Sequence, residues 1–125
     1  MRFLLLFSFL FSFNYANAHE MTPTYPEFRR SFIEGIYLSS INIFNRRIDI
    51  EYYEIDVFDD EWNFLSFATE SKIVKIKYLH KKTIDIYLKE EDLDKVTYIC
   101  SRSKILKNSN TTSMISSKIC SKVNK

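Results

Sequence analysis

Ile50-Glu51-Tyr52-Tyr53-Glu54-Ile55-Asp56-Val57-Phe58 decides the fold class. Tyr53, Ile55 and Val57 fall on one side of an extended chain, while Glu54 and Asp56 fall on the other. A period of two marks a strand with one face in a core and one in water. The same period recurs on either side. Upstream, Leu38 to Asn45 sets Ile41, Ile43 and Asn45 on one face. Downstream, Lys72 to Leu79 sets Val74, Ile76 and Tyr78 together, and Thr83 to Leu88 does so for Ile84, Ile86 and Leu88. A short segment from Trp62 to Phe67, a strand over Val96 to Ile105 and another over Met114 to Val123 complete the set. Asp59-Asp60-Glu61 reads as a turn, and Glu90 to Lys95 as no more than a single helical turn between strands. No window carries a sustained helical stripe. The expectation is an all-β chain of about seven short strands, folded as one antiparallel two-sheet sandwich.

The N-terminus reads as an export leader. Arg2 supplies a positive charge, Phe3 to Phe13 is apolar except for Ser8 and Ser12, and Ala16-Asn17-Ala18 offers small residues before a cut. An apolar run of 11 residues falls short of the roughly 20 that span a bilayer. Residues 1–18 are therefore expected to be a signal peptide, 19–30 an extended N-terminal arm, and 31–125 the sandwich. The arm follows from Pro23 and Pro26, each of which disfavours helix in the residue before it. The mature product is expected in the periplasm or outside the cell, and not to span the membrane. The excess of Ile, Lys, Phe, Asn and Tyr points to an AT-rich genome, such as that of a bacterium or its phage.

An exported chain with two cysteines, Cys100 and Cys120, suggests one disulfide. Their midpoint lies at residue 110, inside Asn108-Ser109-Asn110-Thr111-Thr112, which is rich in turn formers. A hairpin centred there sets the two cysteines directly opposite each other.

Composition excludes several chemistries. One glycine leaves no phosphate-cradling loop, and two histidines leave no HExxH zinc helix. No G-x-S-x-G elbow occurs. The acid pairs at Glu51 and Glu54, Asp59 to Glu61, and Glu90 to Asp92 fall in turns or on exposed strand faces, which is solvated charge rather than a glycosidase pair. The chain is expected not to be an enzyme.

Charge is segregated. All 16 acids lie before Ser101, whereas residues 101–125 hold six bases and no acid. In the hairpin register Arg102 falls opposite Lys118, with Lys104 and Lys122 on the same face. These four residues are the candidate contact for a protein or an anionic envelope component. The competing reading is a solvated edge whose lysines block aggregation. Nucleic acid is not expected, since no run of bases is interleaved with stacking aromatics. Trp62, with Tyr25, Phe28 and Phe32, offers aromatics for a surface patch. A second class of function rests on His19, the first residue of the mature chain. Its amine and imidazole, with His80, suit copper, and no other cofactor is expected.

Two family resemblances appear. Asp94-Lys95-Val96-Thr97-Tyr98-Ile99-Cys100 resembles the immunoglobulin strand-F signature, an Asp and then a Tyr two residues before a Cys. The resemblance implies a tyrosine corner built by Tyr98 and Asp94, the hydroxyl bonding back to upstream backbone. The mature chain has no earlier cysteine, so the inter-sheet bridge of antibody domains is missing. Leu38-Ser39-Ser40-Ile41-Asn42-Ile43-Phe44-Asn45, Tyr52-Tyr53-Glu54-Ile55-Asp56-Val57-Phe58-Asp59 and Phe64-Leu65-Ser66-Phe67 are similar in pattern to the N-terminal domain of periplasmic pilus-assembly chaperones. That resemblance runs from Ser31 to Leu88. It implies an immunoglobulin-like domain that holds a partner subunit by lending it a strand, with an anchoring Arg near Arg29 and Arg30. The chain is too short for that family's second domain.

Overall fold

A computed structural model describes residues 18–105 and 115–125. The expected leader lies outside them apart from Ala18, as does the expected turn over 108–112. Among the described residues, eight strands and one 3₁₀ turn make up the regular structure. They are β1 (Glu20–Thr22), β2 (Arg29–Arg30), β3 (Ile36–Phe44), β4 (Tyr52–Phe58), β5 (Ile73–Lys75), β6 (Lys81–Lys89), the turn Glu90–Asp92, β7 (Tyr98–Lys104) and β8 (Lys118–Lys122). All pairings are antiparallel. In the first sheet β3 is central, with β6 along one edge and β1 and β2 in succession along the other. The second sheet runs β5-β4-β7-β8. The fold is an all-β sandwich.

The core forms where the alternation predicts it. Ile41 and Ile43 of β3, Tyr53, Ile55 and Val57 of β4, Ile86 of β6 and Ile99 of β7 have no exposed surface. Val74, Ile76, Ile84 and Leu88 join them in one cluster. Burying each such side chain is worth about 1.5–3 kcal/mol against leaving it in water.

The structure departs from the sequence reading in three places. Trp62 to Phe67 forms no ladder. It crosses from one sheet to the other, bridging Phe58 at Phe64 and Tyr87 at Ala68. The strand expected over Lys72 to Leu79 shortens to Ile73–Lys75, and Tyr78 is exposed rather than inward. The chain turns there, His80 N–H donating to the Lys77 carbonyl, with Leu79 at φ 58°. Finally, the arm is part of the sheet. Glu20 to Thr22 pairs with Phe44 to Asn42, and Arg29 and Arg30 with Leu38 and Tyr37. Pro23 and Pro26, which have no N–H to donate, separate the two paired stretches.

One buried polar side chain organises the loop end. Asn45 has no exposed surface. Its Nδ2 donates to the carbonyls of Ile50 (2.7 Å) and Ile76 (2.9 Å). Its Oδ1 accepts from the Arg47 N–H (2.8 Å) and from the Tyr53 hydroxyl. The side chain is thus saturated, and it ties the β3–β4 loop to the segment after β5 and to the core tyrosine. Replacing Asn45 by Leu leaves two carbonyls, an N–H and a hydroxyl without that partner. The expected loss is about 2–4 kcal/mol of unfolding free energy, read by urea denaturation. A loss below 1 kcal/mol, on the order of one ordinary hydrogen bond, would deny Asn45 this role.

Cys100 and Cys120 are bonded and directly opposite, in the register expected from the loop midpoint. Closing 20 residues contributes roughly 3 kcal/mol in the chain-entropy model. Reduction, or replacement of both cysteines by Ser, is expected to lower stability by about 2–4 kcal/mol, measured in matched denaturant titrations.

Candidate functional site

The residues singled out for contact lie on the outer face of the second sheet. In β7, Ile99, Ser101 and Ser103 turn inward and are buried. The intervening Tyr98, Cys100, Arg102 and Lys104 therefore share the other face. The register places Arg102 opposite Lys118, and Tyr98 opposite Lys122. The four bases thus share one face, with Lys104 and Lys122 towards its opposite ends.

The like charges are kept apart by different partners. Arg102 Nη2 donates to Glu54 Oε2 at 2.6 Å, and Lys104 Nζ reaches the same oxygen at 2.9 Å. Those two hydrogen bonds hold the Glu54 carboxyl below the usual carboxylate range. Lys118 turns the other way, its Nζ 4.8 Å from the centre of the Phe58 ring and 5.2 Å from that of Trp62. Such cation–π contacts are worth about 0.5–1 kcal/mol at an exposed site. Asp56, next along β4, has its pKa raised, first by burial and then by the Glu54 charge.

Trp62 completes the face. Its ring stacks on Tyr98 with centroids 4.2 Å apart and planes 3° from parallel. Its backbone sits at φ 66°, a left-handed conformation that costs a bulky residue energy. The turn before it enforces this. Asp59 Oδ1 accepts the N–H groups of Glu61 (2.9 Å) and Asn63 (2.8 Å), and Asp59 Oδ2 accepts Asn63 Nδ2 (3.0 Å). Beside it Lys72 lies over the rings of Phe64 and Phe67, at 5.0 and 5.1 Å. The result is a preformed aromatic platform among cations. The acidic turn was legible in sequence, but the ring it projects onto Tyr98 was not.

Of the two residues expected to build a tyrosine corner, Tyr98 lays its ring against Trp62. Asp94 contributes its backbone carbonyl to Lys125 Nζ at 2.6 Å. The other acid groups serve local pairs. Glu51 bonds Lys75 at 3.2 Å, and Asp92 bonds Lys95 at 2.9 Å.

The two histidines have different surroundings. His19 is buried, its ring 4.6 Å from that of Tyr53. Nε2 is 2.7 Å from Ser101 Oγ, and Nδ1 is 3.0 Å from Ser117 Oγ. His80 is exposed, its Nδ1 2.9 Å from the Tyr78 carbonyl. Copper on His19 would have to displace a serine from a ring nitrogen in the interior. Among the described residues, no group of three or more His, Cys, Asp or Glu side chains is placed to hold a metal ion.

The Arg47 guanidinium, itself buried, lies near His19. It shares Ser117 at 3.5 Å and pairs with Asp49 at 2.6 Å. Burial, and secondarily the Arg47 charge, lowers the His19 pKa to about 4 against the Ser101 hydrogen bond, which raises it. The neutral ring is the form the fold accepts. Its contribution is complete above the unfolded pKa of about 6.5 and is lost as pH falls towards 4, amounting to about 2–3 kcal/mol. His19→Gln is expected to lose that much less stability than the parent chain between pH 7 and pH 4, in urea titrations at both values. Equal losses would remove His19 as the cause. No protein-family model matches the chain, and no curated protein sequence matches it.

Proposed function

We propose that the chain is a secreted, non-enzymatic binding module: an immunoglobulin-like adaptor or chaperone-like protein of a bacterial envelope, or of a phage-encoded surface system. The leader-like N-terminus and the paired cysteines support an exported setting. The strand order supports an immunoglobulin-like domain. The chain passes from the first sheet to the second between β3 and β4, returns between β5 and β6, and crosses again before the β7–β8 hairpin.

The observation that carries the binding reading is the outer face of the second sheet. Arg102, Lys104, Lys118 and Lys122 stand there beside a rigid Trp62–Tyr98 stack. Glu54 offsets part of the charge of Arg102 and Lys104, and Lys122 has no ion pair among the described residues. Stacked aromatics held before contact cost little entropy on binding, and surrounding cations select an anionic partner. That partner is a protein or an anionic envelope component.

The sheet edges are a second contact route. β6 is nine residues long and, on the side away from β3, is bridged only at Tyr87 among the described residues. Lys81, Lys82 and Lys89 along it also discourage unspecific strand addition.

The test is capture of the partner from its native envelope by chain tagged at the C-terminus, repeated with Lys118→Glu and Lys122→Glu together. Reversal is expected to weaken capture by roughly tenfold or more and to flatten its salt dependence. Trp62→Ala is expected to weaken it at every salt concentration. Capture of the same partner, undiminished by either change, would remove this face from the function.

A further inference from the structure

We infer that the end of the sandwich where Ala18 enters docks on an anionic phospholipid surface. This surface is separate from the basic sheet face. Three parts of the chain meet there: the β3–β4 loop, the turn between β5 and β6, and the residues leading into β8. Ala18, Ile48, Tyr78 and Ile115 line one cleft of about 350 Å³ between them. Arg46, Arg47, Asp49 and Ser117 complete the lining, and apolar side chains at and beside the cleft are open to water. Ile48 is 81% exposed, Ile115 66%, Leu79 56% and Tyr78 43%. Scattered single aliphatics on a surface need no explanation, but three of them with a tyrosine on neighbouring loop tips mark a contact.

Backbone strain points the same way. Leu79 is held at φ 58°, its N–H donating to the Asn45 carbonyl at 2.8 Å. The saturated Asn45 hub therefore fixes the loop whose tip presents an aliphatic side chain to solvent. Strain that is stabilised by its surroundings is a reason to look for a function.

Charge behind the tip selects the kind of surface. Lys77, Lys81 and Lys82 flank Tyr78 and Leu79, are exposed, and form no ion pair among the described residues. The acids nearby are already engaged, Glu20 with Arg46 at 2.9 Å and Asp49 with Arg47. An apolar tip with a collar of unpaired lysines suits acyl chains below and anionic headgroups around it.

The test is flotation with vesicles of phosphatidylcholine alone, and of phosphatidylcholine with phosphatidylglycerol. The chain is produced with its own N-terminus, and its processed form is identified by mass. Binding is expected only to the anionic vesicles. Leu79→Asp and Ile48→Asp are each expected to weaken it by roughly tenfold or more, and each of Lys77→Gln and Lys81→Gln by roughly fivefold. Near-ultraviolet circular dichroism and partner capture by the sheet face serve as folding controls, so that failure here is separable from failure of the proposed function.

Equal binding to neutral vesicles would overturn the inference, as would tip variants that float like the parent. Displacement by inorganic phosphate alone would move recognition to a free anion. A parent chain that is dimeric in solution and made monomeric by Leu79→Asp would assign the tip to a second copy.

Discussion

The hydrogen bonds of Asn45 are the constraint on which the loop end depends. A buried amide offers two donors and two acceptor positions, and each left empty in the interior costs about as much as a hydrogen bond is worth. Here all four are filled, three by backbone groups of the β3–β4 loop and of the segment after β5, and one by the core tyrosine. Because the amide reads position and direction at once, the β3–β4 loop and the segment after β5 have little freedom to shift against each other. Arg47 is placed by its own N–H to Asn45, which aims its guanidinium at Asp49, Ser103 of β7 and Ser117 just before β8. The polar interior and the apolar tip are thus two consequences of one side chain.

The basic face obeys a different principle. Direct opposition of Arg102 and Lys118 is unfavourable in principle, and the sheet resolves it by sending the two cations to unlike partners. A carboxylate takes the guanidinium, and ring faces take the ammonium. What remains is charge that is oriented but not extinguished. An aromatic stack fixed at the same place narrows the shapes that can approach.

Much of the fold was legible because alternation needs only local residue types. Ile41, Ile43, Tyr53, Ile55, Val57, Ile84, Ile86 and Leu88 were assigned inward and are inward. The Cys100–Cys120 register followed from a midpoint. Tyr78 failed because alternation persists in the letters after the backbone has left the strand, and a non-glycine residue at positive φ gives no signal in a single sequence. At Tyr98 the letters of a motif were legible, but the neighbour of its ring, Trp62, was not. His19 read as a free terminus suited to metal, whereas its burial depends on Ser101 and Ser117, far away in sequence and visible only once β1 and the C-terminal hairpin are side by side. The platform at Trp62 required a turn conformation and a cross-sheet neighbour, neither of which is a local property.

That meeting of the two ends of the domain bears on how it is made. His19 bonds a residue just before β8, and the Asn124 N–H donates to the Pro26 carbonyl at 2.8 Å. The first residues of the domain to emerge therefore find these partners only when the last are available. Contacts of such long sequence separation close late, after the entropy of the intervening chain has been spent. Until residues 117–124 are made, the amino-terminal strand lacks these neighbours. On the proposed export route, in which the chain crosses a membrane unfolded, this order of events is an advantage, since the seam that closes the sandwich forms only after both of its sides have arrived.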